Sequence, residues 1–247
     1  MTANIEDNHV LVENHLVEDG YYFNNELMIK VTINYPSFIS NEFKSFVKFL
    51  NNLYYSKLVL HSKYEIYRLY RIAVSDYEHA ISNNFPFRSF EYYIDYHITY
   101  NDNCTLSIYY DTYVYTGGAH GATVRRSDTW DLKEARLTSL SDYIVDKENY
   151  REFVINEVLS VIDSSIENDE LIYFSDYRDL VGQTFNKDSF YLFDSQKETN
   201  ADMINNLQGG KGGIVIYFQQ YDIGPYSSGI QSFLIPFDNP NVIGPSC

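Results

Sequence analysis

The most distinctive chemistry in the chain sits in one short run, Thr116-Gly117-Gly118-Ala119-His120-Gly121. Glycine reaches backbone conformations closed to other residues, so Gly117, Gly118 and Gly121 predict a tight turn that fixes His120 in place. An imidazole held that way can donate to a ligand, help bind a metal, or lock the turn by bonding to nearby backbone. A second candidate is the run Tyr221-Asp222-Ile223-Gly224-Pro225-Tyr226-Ser227-Ser228-Gly229. The rings of Tyr221 and Tyr226 can hold a sugar or a partner protein, or cover the end of a sheet, because tyrosine suits borders that are half apolar and half wet. Catalysis asks for more. No Ser, Cys or second His stands at a telling spacing from His120, so no catalytic residue is assigned and binding is favoured over catalysis. Asp111, Asp128 and Asp131 flank the glycine turn, yet a hard cation needs several converging oxygens and the sequence shows no loop of that type. No metal and no other cofactor is expected.

Strands and helices have to position these groups. Residues 10–17 and 27–34 read as strands around Asp19-Gly20; in the second, Leu27, Ile29, Val31 and Ile33 alternate with Met28, Lys30, Thr32 and Asn34, and Pro36 ends it. No Gly or Pro interrupts residues 39–83, where Phe43, Phe46, Val47, Leu50, Leu53 and Tyr54 follow helical spacing. Leu60, Tyr64, Tyr67, Val74, Tyr77 and Ile81 continue it. The spacing predicts one long amphipathic helix, or two with a break near 57–62, capped by Ser40 and with its tyrosine stripe facing the core. Residues 90–100 and 105–115 form a strand pair about Asn101-Asp102-Asn103, and the second strand runs straight into the glycine turn. A strand at 122–131 follows, and then a turn leading to 137–140. Asp146 can cap a helix over 147–166, with Val154, Val158 and Ile162 on its apolar face. After a short helical turn at 175–182, residues 190–193, 213–218 and 230–237 read as strands, and 194–212 as a long loop or insertion.

Helices and strands are segregated and the strands are hairpin-linked. The fold class is therefore α+β: a mostly antiparallel sheet packed by a long N-terminal helix and a second amphipathic helix. One domain is expected over residues 1–247, with strands and the long helix in 1–88 and a sheet-and-helix part in 89–247. In that arrangement His120, Tyr221 and Tyr226 converge at one rim of the sheet.

Charge and composition narrow the partners. The 18 Lys and Arg face 34 Asp and Glu, a net charge of -16. Nucleic acid and anionic membrane both reward positive charge, so neither is expected, whereas a cationic partner would be steered in. No stretch approaches the roughly 18 apolar residues of a membrane span, so direct membrane insertion is not expected. The first 14 residues are acidic and polar, unlike an export signal, so the chain as it stands reads as cytoplasmic. Cys104 and Cys247 are too few for a disulfide framework; Cys104 reads as a small buried hydrophobe in a strand and Cys247 as a frayed end. Nothing in the sequence fixes an oligomeric state.

Three segments resemble one family. Tyr113-Val114-Tyr115-Thr116-Gly117-Gly118-Ala119-His120-Gly121, followed by Trp130-Asp131-Leu132 and Leu137-Thr138-Ser139-Leu140-Ser141-Asp142, resembles its Tyr-x-Gly-Gly-Ala-His-Gly turn and the elements after it. The run from Tyr221 to Gly229 is similar to its Tyr-Glu-Ile-Ala-Pro-Tyr-Ala-x-Gly loop, and Tyr35-Pro36 before a long helix to its early strand end. The family is a domain of unknown function, found as the extracytoplasmic, lysozyme-binding domain of RsiV-like anti-sigma factors and at the front of PdaC-like peptidoglycan deacetylases. The resemblance implies a non-catalytic binding or sensing module of the cell envelope of Gram-positive bacteria. Its partner would be a basic protein such as lysozyme, or a cell-wall glycan. The chain departs from these relatives in lacking an anchor or export signal and in its insertion near 194–212. Two alternatives stay open: a cell-wall sugar hydrolase or deacetylase-like enzyme using His120, and a structural protein of an envelope or spore layer.

Overall fold

In the computed structural model, which describes residues 8–167, 173–194 and 212–247, the first hairpin turns on two asparagines. Asn24 and Asn25 take φ of 50° and 63°, and left-handed backbone at both central residues is what a tight two-residue hairpin needs. Strands β1 (Leu11–Phe23) and β2 (Glu26–Ile39) therefore pair antiparallel along their whole length. The turn expected at Asp19-Gly20 is not there. Gly20 lies inside β1, just ahead of a register shift between Tyr21 and Tyr22. Pro36 does not end β2 either. It pairs with Asn14 of β1, and β3 (Phe90–Asp102) covers the other side of β2 only from Ile29 to Ile33, so the proline sits where that side is an edge. Strands β2 and β3 are parallel, because the helical segment between them carries the chain back to the same end.

That segment is continuous: α1 (Lys44–Tyr54), a π-helical stretch (Tyr55–Leu60) and α2 (His61–Ser82). The expected cap at Ser40 is not formed: its Oγ accepts the Phe43 N–H at 3.1 Å in the turn before the helix, and the N-cap position is Phe43, which has no side-chain cap. The π stretch falls where a break was expected. Its wider turn keeps residues four apart on one side, so Tyr54, Leu58, Ser62 and Ile66 are all buried, followed by Leu69, Ala73 and Ala80. The expected core stripe is consequently on the wrong face. Tyr64 and Tyr67 are 78% and 61% exposed, and Leu60 and Ile81 also face solvent. Small residues instead let α2 approach the sheet, where Ser62 Oγ donates to Leu58 O and meets Tyr92 Oη at 2.9 Å. Asn51 of α1 reaches the end of β2, its Oδ1 accepting Phe38 N–H at 2.7 Å and its Nδ2 donating to Phe38 O at 3.0 Å.

Strands β4 (Thr105–Tyr115), β5 (Ala122–Asp131) and β6 (Arg136–Leu137) complete a six-stranded sheet whose strands lie in chain order. The turn between β3 and β4 is Asn103-Cys104, with φ of 46° and 53°, so Cys104 is a turn residue and not a strand residue. It is bonded to Cys247, with Cα atoms 5.1 Å apart. Cys104 is buried as expected, but its placement in a strand and the reading of Cys247 as a frayed end are corrected: sequence separation says nothing of which turn meets the C-terminus.

A second sheet, β7 (Phe190–Phe193), β8 (Gly213–Phe218) and β9 (Gln231–Pro236), is antiparallel in the order β7-β8-β9. Helix α3 (Tyr150–Glu167) lays Val154, Val158 and Ile162 into a core with Leu192, Ile214, Phe233 and Ile235, and α4 (Tyr177–Thr184) adds Val181. Asp146 accepts the N–H groups of Glu148 and Asn149, and the regular helix begins at Tyr150. Of the insertion expected near 194–212, residues 195–211 lie outside the described residues. The overall class is α+β with mostly antiparallel sheets and a long helix, as the sequence predicts.

The residues group into two compact units. An N-terminal unit comprises Val10–Tyr96 and Tyr110–Val124; a C-terminal unit holds His97–Tyr109 and the described residues from Arg125 onward. Strands β3, β4 and β5 each contribute to both.

Candidate functional site

The glycine turn belongs to the N-terminal unit. Gly117 has a φ of 82°, a conformation costly to any side chain. Gly121 is needed for a different reason: a Cβ there would stand 2.4 Å from the Tyr113 ring. Gly118 meets nothing within 4 Å and is under neither constraint. Tyr115 Oη donates to Gly118 O at 3.1 Å, and Arg88 donates to Tyr115 Oη at 3.4 Å, so β4 side chains fasten the turn. His120 is exposed, with Nδ1 3.0 Å from Gly121 O. As the N–H tautomer at Nδ1 it donates to that carbonyl, which ties one ring nitrogen to the turn itself.

The tyrosine loop belongs to the C-terminal unit. Tyr221 is 55% exposed, and its ring centroid lies 5.8 Å from that of Tyr226. Tyr221 has a φ of 70°, rare for a bulky residue and held only when the surroundings dictate it. Those surroundings are identifiable. Ile223 is buried in the core and its carbonyl accepts Phe174 N–H at 3.0 Å. Gln219 clamps β5: its Oε1 accepts Arg125 N–H at 3.0 Å and its Nε2 donates to Arg125 O at 2.8 Å. Asp222 accepts Gln219 N–H at 2.8 Å, and burial still pushes its carboxyl above the ordinary value. The loop is therefore a rigid mount for an exposed, paired aromatic surface.

Under that clamp lies an arrangement the sequence did not announce. Arg125 is 3% exposed, with its guanidinium carbon 3.8 Å from the Tyr109 ring centroid and 5.9 Å from that of Tyr217. Tyr191 stands 5.0 Å from Tyr109, and His97 packs on Tyr109 at 4.7 Å. A desolvated cation over an aromatic face is worth up to about 2 kcal/mol. The sequence signal for it is a general abundance of tyrosine, 25 residues in the chain. Among the described residues, no group of three or more His, Cys, Asp or Glu side chains is placed to hold a metal ion.

The five candidates thus fall into two sets, Gly117, Gly118 and His120 in one unit and Tyr221 and Tyr226 in the other. Tyr221 and Tyr226 are brought together.

Two family models match separate stretches of the chain. The family described as Deacetylase PdaC matches residues 24–123, and the family described as Protein of unknown function (DUF3298) matches residues 133–238. Over 135 residues the chain is 28% identical to peptidoglycan-N-acetylmuramic acid deacetylase PdaC of Bacillus subtilis, covering 55% of this chain and 24% of that protein. The chain thus spans about a quarter of the length of that curated relative. A DUF3298-family crystal structure from Bacteroides fragilis has a TM-score of 0.64 at 17% identity, covering 97% of this chain and 96% of the other. Another from Pseudomonas aeruginosa has a TM-score of 0.58 at 15% identity, with 97% and 96% covered. At these identities the likeness to both structures is one of fold. By these matches the segment 24–123 is similar to the PdaC family and the segment 133–238 to the DUF3298 family, on an α+β fold shared with the solved DUF3298 structures.

Proposed function

We propose that the chain is a non-catalytic binding module of the bacterial cell envelope, and that it holds cell-wall glycan on the Tyr221–Tyr226 surface. The observation that carries this reading is the pairing of two phenol rings, one of them mostly exposed, on a loop anchored by Ile223 and Gln219. Aromatic faces that are rigid before binding lose little entropy on contact. Two further observations support the setting. The Cys104–Cys247 bond suits an oxidising compartment outside the cytoplasm. The Bacillus subtilis relative is named for its action on peptidoglycan.

The test is co-sedimentation with purified peptidoglycan. The wild type is expected in the pellet, and a Tyr221→Ala/Tyr226→Ala double variant is expected to lose most of that binding, since each aromatic contact contributes about 1 kcal/mol or more. A wild type that stays in the supernatant at every concentration refutes the reading. His120→Ala should leave binding unchanged, and no muropeptide turnover is expected from either protein.

A second reading, capture of a cationic protein such as lysozyme, is favoured by the net charge of -16. It predicts a complex that weakens as salt rises, because exposed charges are screened. No complex with lysozyme at low ionic strength removes it.

A further inference from the structure

We infer that the outer face of α2 is a second glycan subsite, one that selects sugars bearing carboxylates. This rests on the envelope reading above but on different residues in the other unit. Tyr64, Tyr67, Arg68, Arg71, Ile72, Ser75 and Asp76 line an open trough of about 520 Å³. They lie three and four apart along the helix, opposite the buried Ile66, Leu69 and Ala73.

Three features point to the occupant. The first is charge. The trough is lined by Arg68 and Arg71 against Asp76, a positive strip on a chain of net charge -16. The strip is complementary to an anion. The second is commitment. Arg68 is engaged with Glu65, its Nε donating at 3.0 Å, while no described residue pairs with Arg71 or Asp76. Arg71 is thus the group left to fork a carboxylate, with Arg68 held beside it. The third is the mix of surfaces. Two exposed phenol rings offer faces for the C–H side of a sugar ring, and Ser75 and Asp76 offer polar groups to its hydroxyls. A docking helix would need apolar anchors along the stripe, where Ile72 is the one aliphatic side chain. An amino-sugar strand carrying lactyl carboxylates fits each of these features.

The experiment is a titration of the full chain with two probes: peptide-free peptidoglycan strands, whose muramic acid carboxylates are free, and uncharged chito-oligosaccharides of equal length. The wild type should prefer the carboxylated strand by about tenfold, the scale of one charge-assisted contact at an exposed site. Arg71→Gln should reduce that preference to about unity without changing the affinity for chito-oligosaccharide. Tyr64→Ala/Tyr67→Ala should weaken both. All three side chains are exposed, so thermal melts should match the wild type. Equal affinity for the two probes, or variants that change neither, overturns the subsite. Poly-glutamate competing as well as the strand also overturns it, in favour of an acidic peptide. A Tyr221→Ala/Tyr226→Ala control separates the readings. Loss there with the α2 variants unaffected ends the subsite and leaves the envelope function standing. A wild type that binds neither probe ends both.

Discussion

Breaking the Cys104–Cys247 bond should unfold the C-terminal unit under conditions where the oxidised protein is stable. The bond joins positions 143 residues apart, and a cross-link of that span removes a large share of the freedom of the unfolded chain. The chain-entropy relation gives about 5 kcal/mol at 25 °C for such a loop, and removing native bridges typically costs about 2–5 kcal/mol. Whole-domain stabilities are about 5–15 kcal/mol, so this is a large fraction. The assay is guanidinium unfolding followed by fluorescence of Trp130, the single tryptophan, which is buried in β5 within the same unit. Dithiothreitol, or a Cys104→Ser/Cys247→Ser variant, should lower the midpoint by about 1 M, given guanidinium slopes of a few kcal/mol per molar. An unchanged midpoint refutes the reasoning. So does a free-thiol assay that finds two reactive thiols in protein prepared under oxidising conditions.

Four further outcomes are expected. Asp222 has its folded-state pKa raised by burial, so its relative stabilisation is complete below the unfolded value of about 3.9 and is lost as pH rises through the folded value; Asp222→Asn, which keeps the acceptor, should melt higher than wild type at pH 7 and equally at pH 3, and an equal gain at both refutes this. At position 221, where φ is 70°, Gly should be more stable than Ala by about 1 kcal/mol in urea titrations while both abolish the aromatic contact; Ala equal to Gly would contradict the backbone assignment. Gly213→Ala would place a methyl 2.4 Å from the Ile235 carbonyl across β8 and β9 and should cost about 1–3 kcal/mol or more. Gly118→Ala, with open space around it, should stay within about 0.5 kcal/mol.

What could be read from the chain in advance depended on how local each cause is. The alternation in β2 and the apolar face of α3 are set by neighbours a few residues apart, and the structure has both. Periodicity alone misses the phase of α2 because it assumes 3.6 residues in every turn, and the π stretch at residues 55–60 has more. A clue was present: Arg68 and Arg71 share the face of Tyr64 and Tyr67, whereas Ser62, Ala73 and Ala80 share the other. The first hairpin was placed on Gly20 although Asn24-Asn25 offered two residues tolerant of left-handed backbone. The tyrosine loop was legible because Tyr221 and Tyr226 are five residues apart, but its rigidity depends on Gln219 meeting Arg125, 94 residues away. The buried guanidinium of Arg125 and the disulfide have the same long-range character, since their partners come from separate strands and from the C-terminus.

Asn51 and Gln219 each satisfy both hydrogen-bonding groups of one strand residue, Phe38 and Arg125. A side-chain amide there imitates the next peptide unit of a sheet and then stops, so the ladder has no rung left to extend at either point. Open ladders recruit foreign strands and grow into aggregates. Molecules crowded together would meet, at these two places, a surface already saturated.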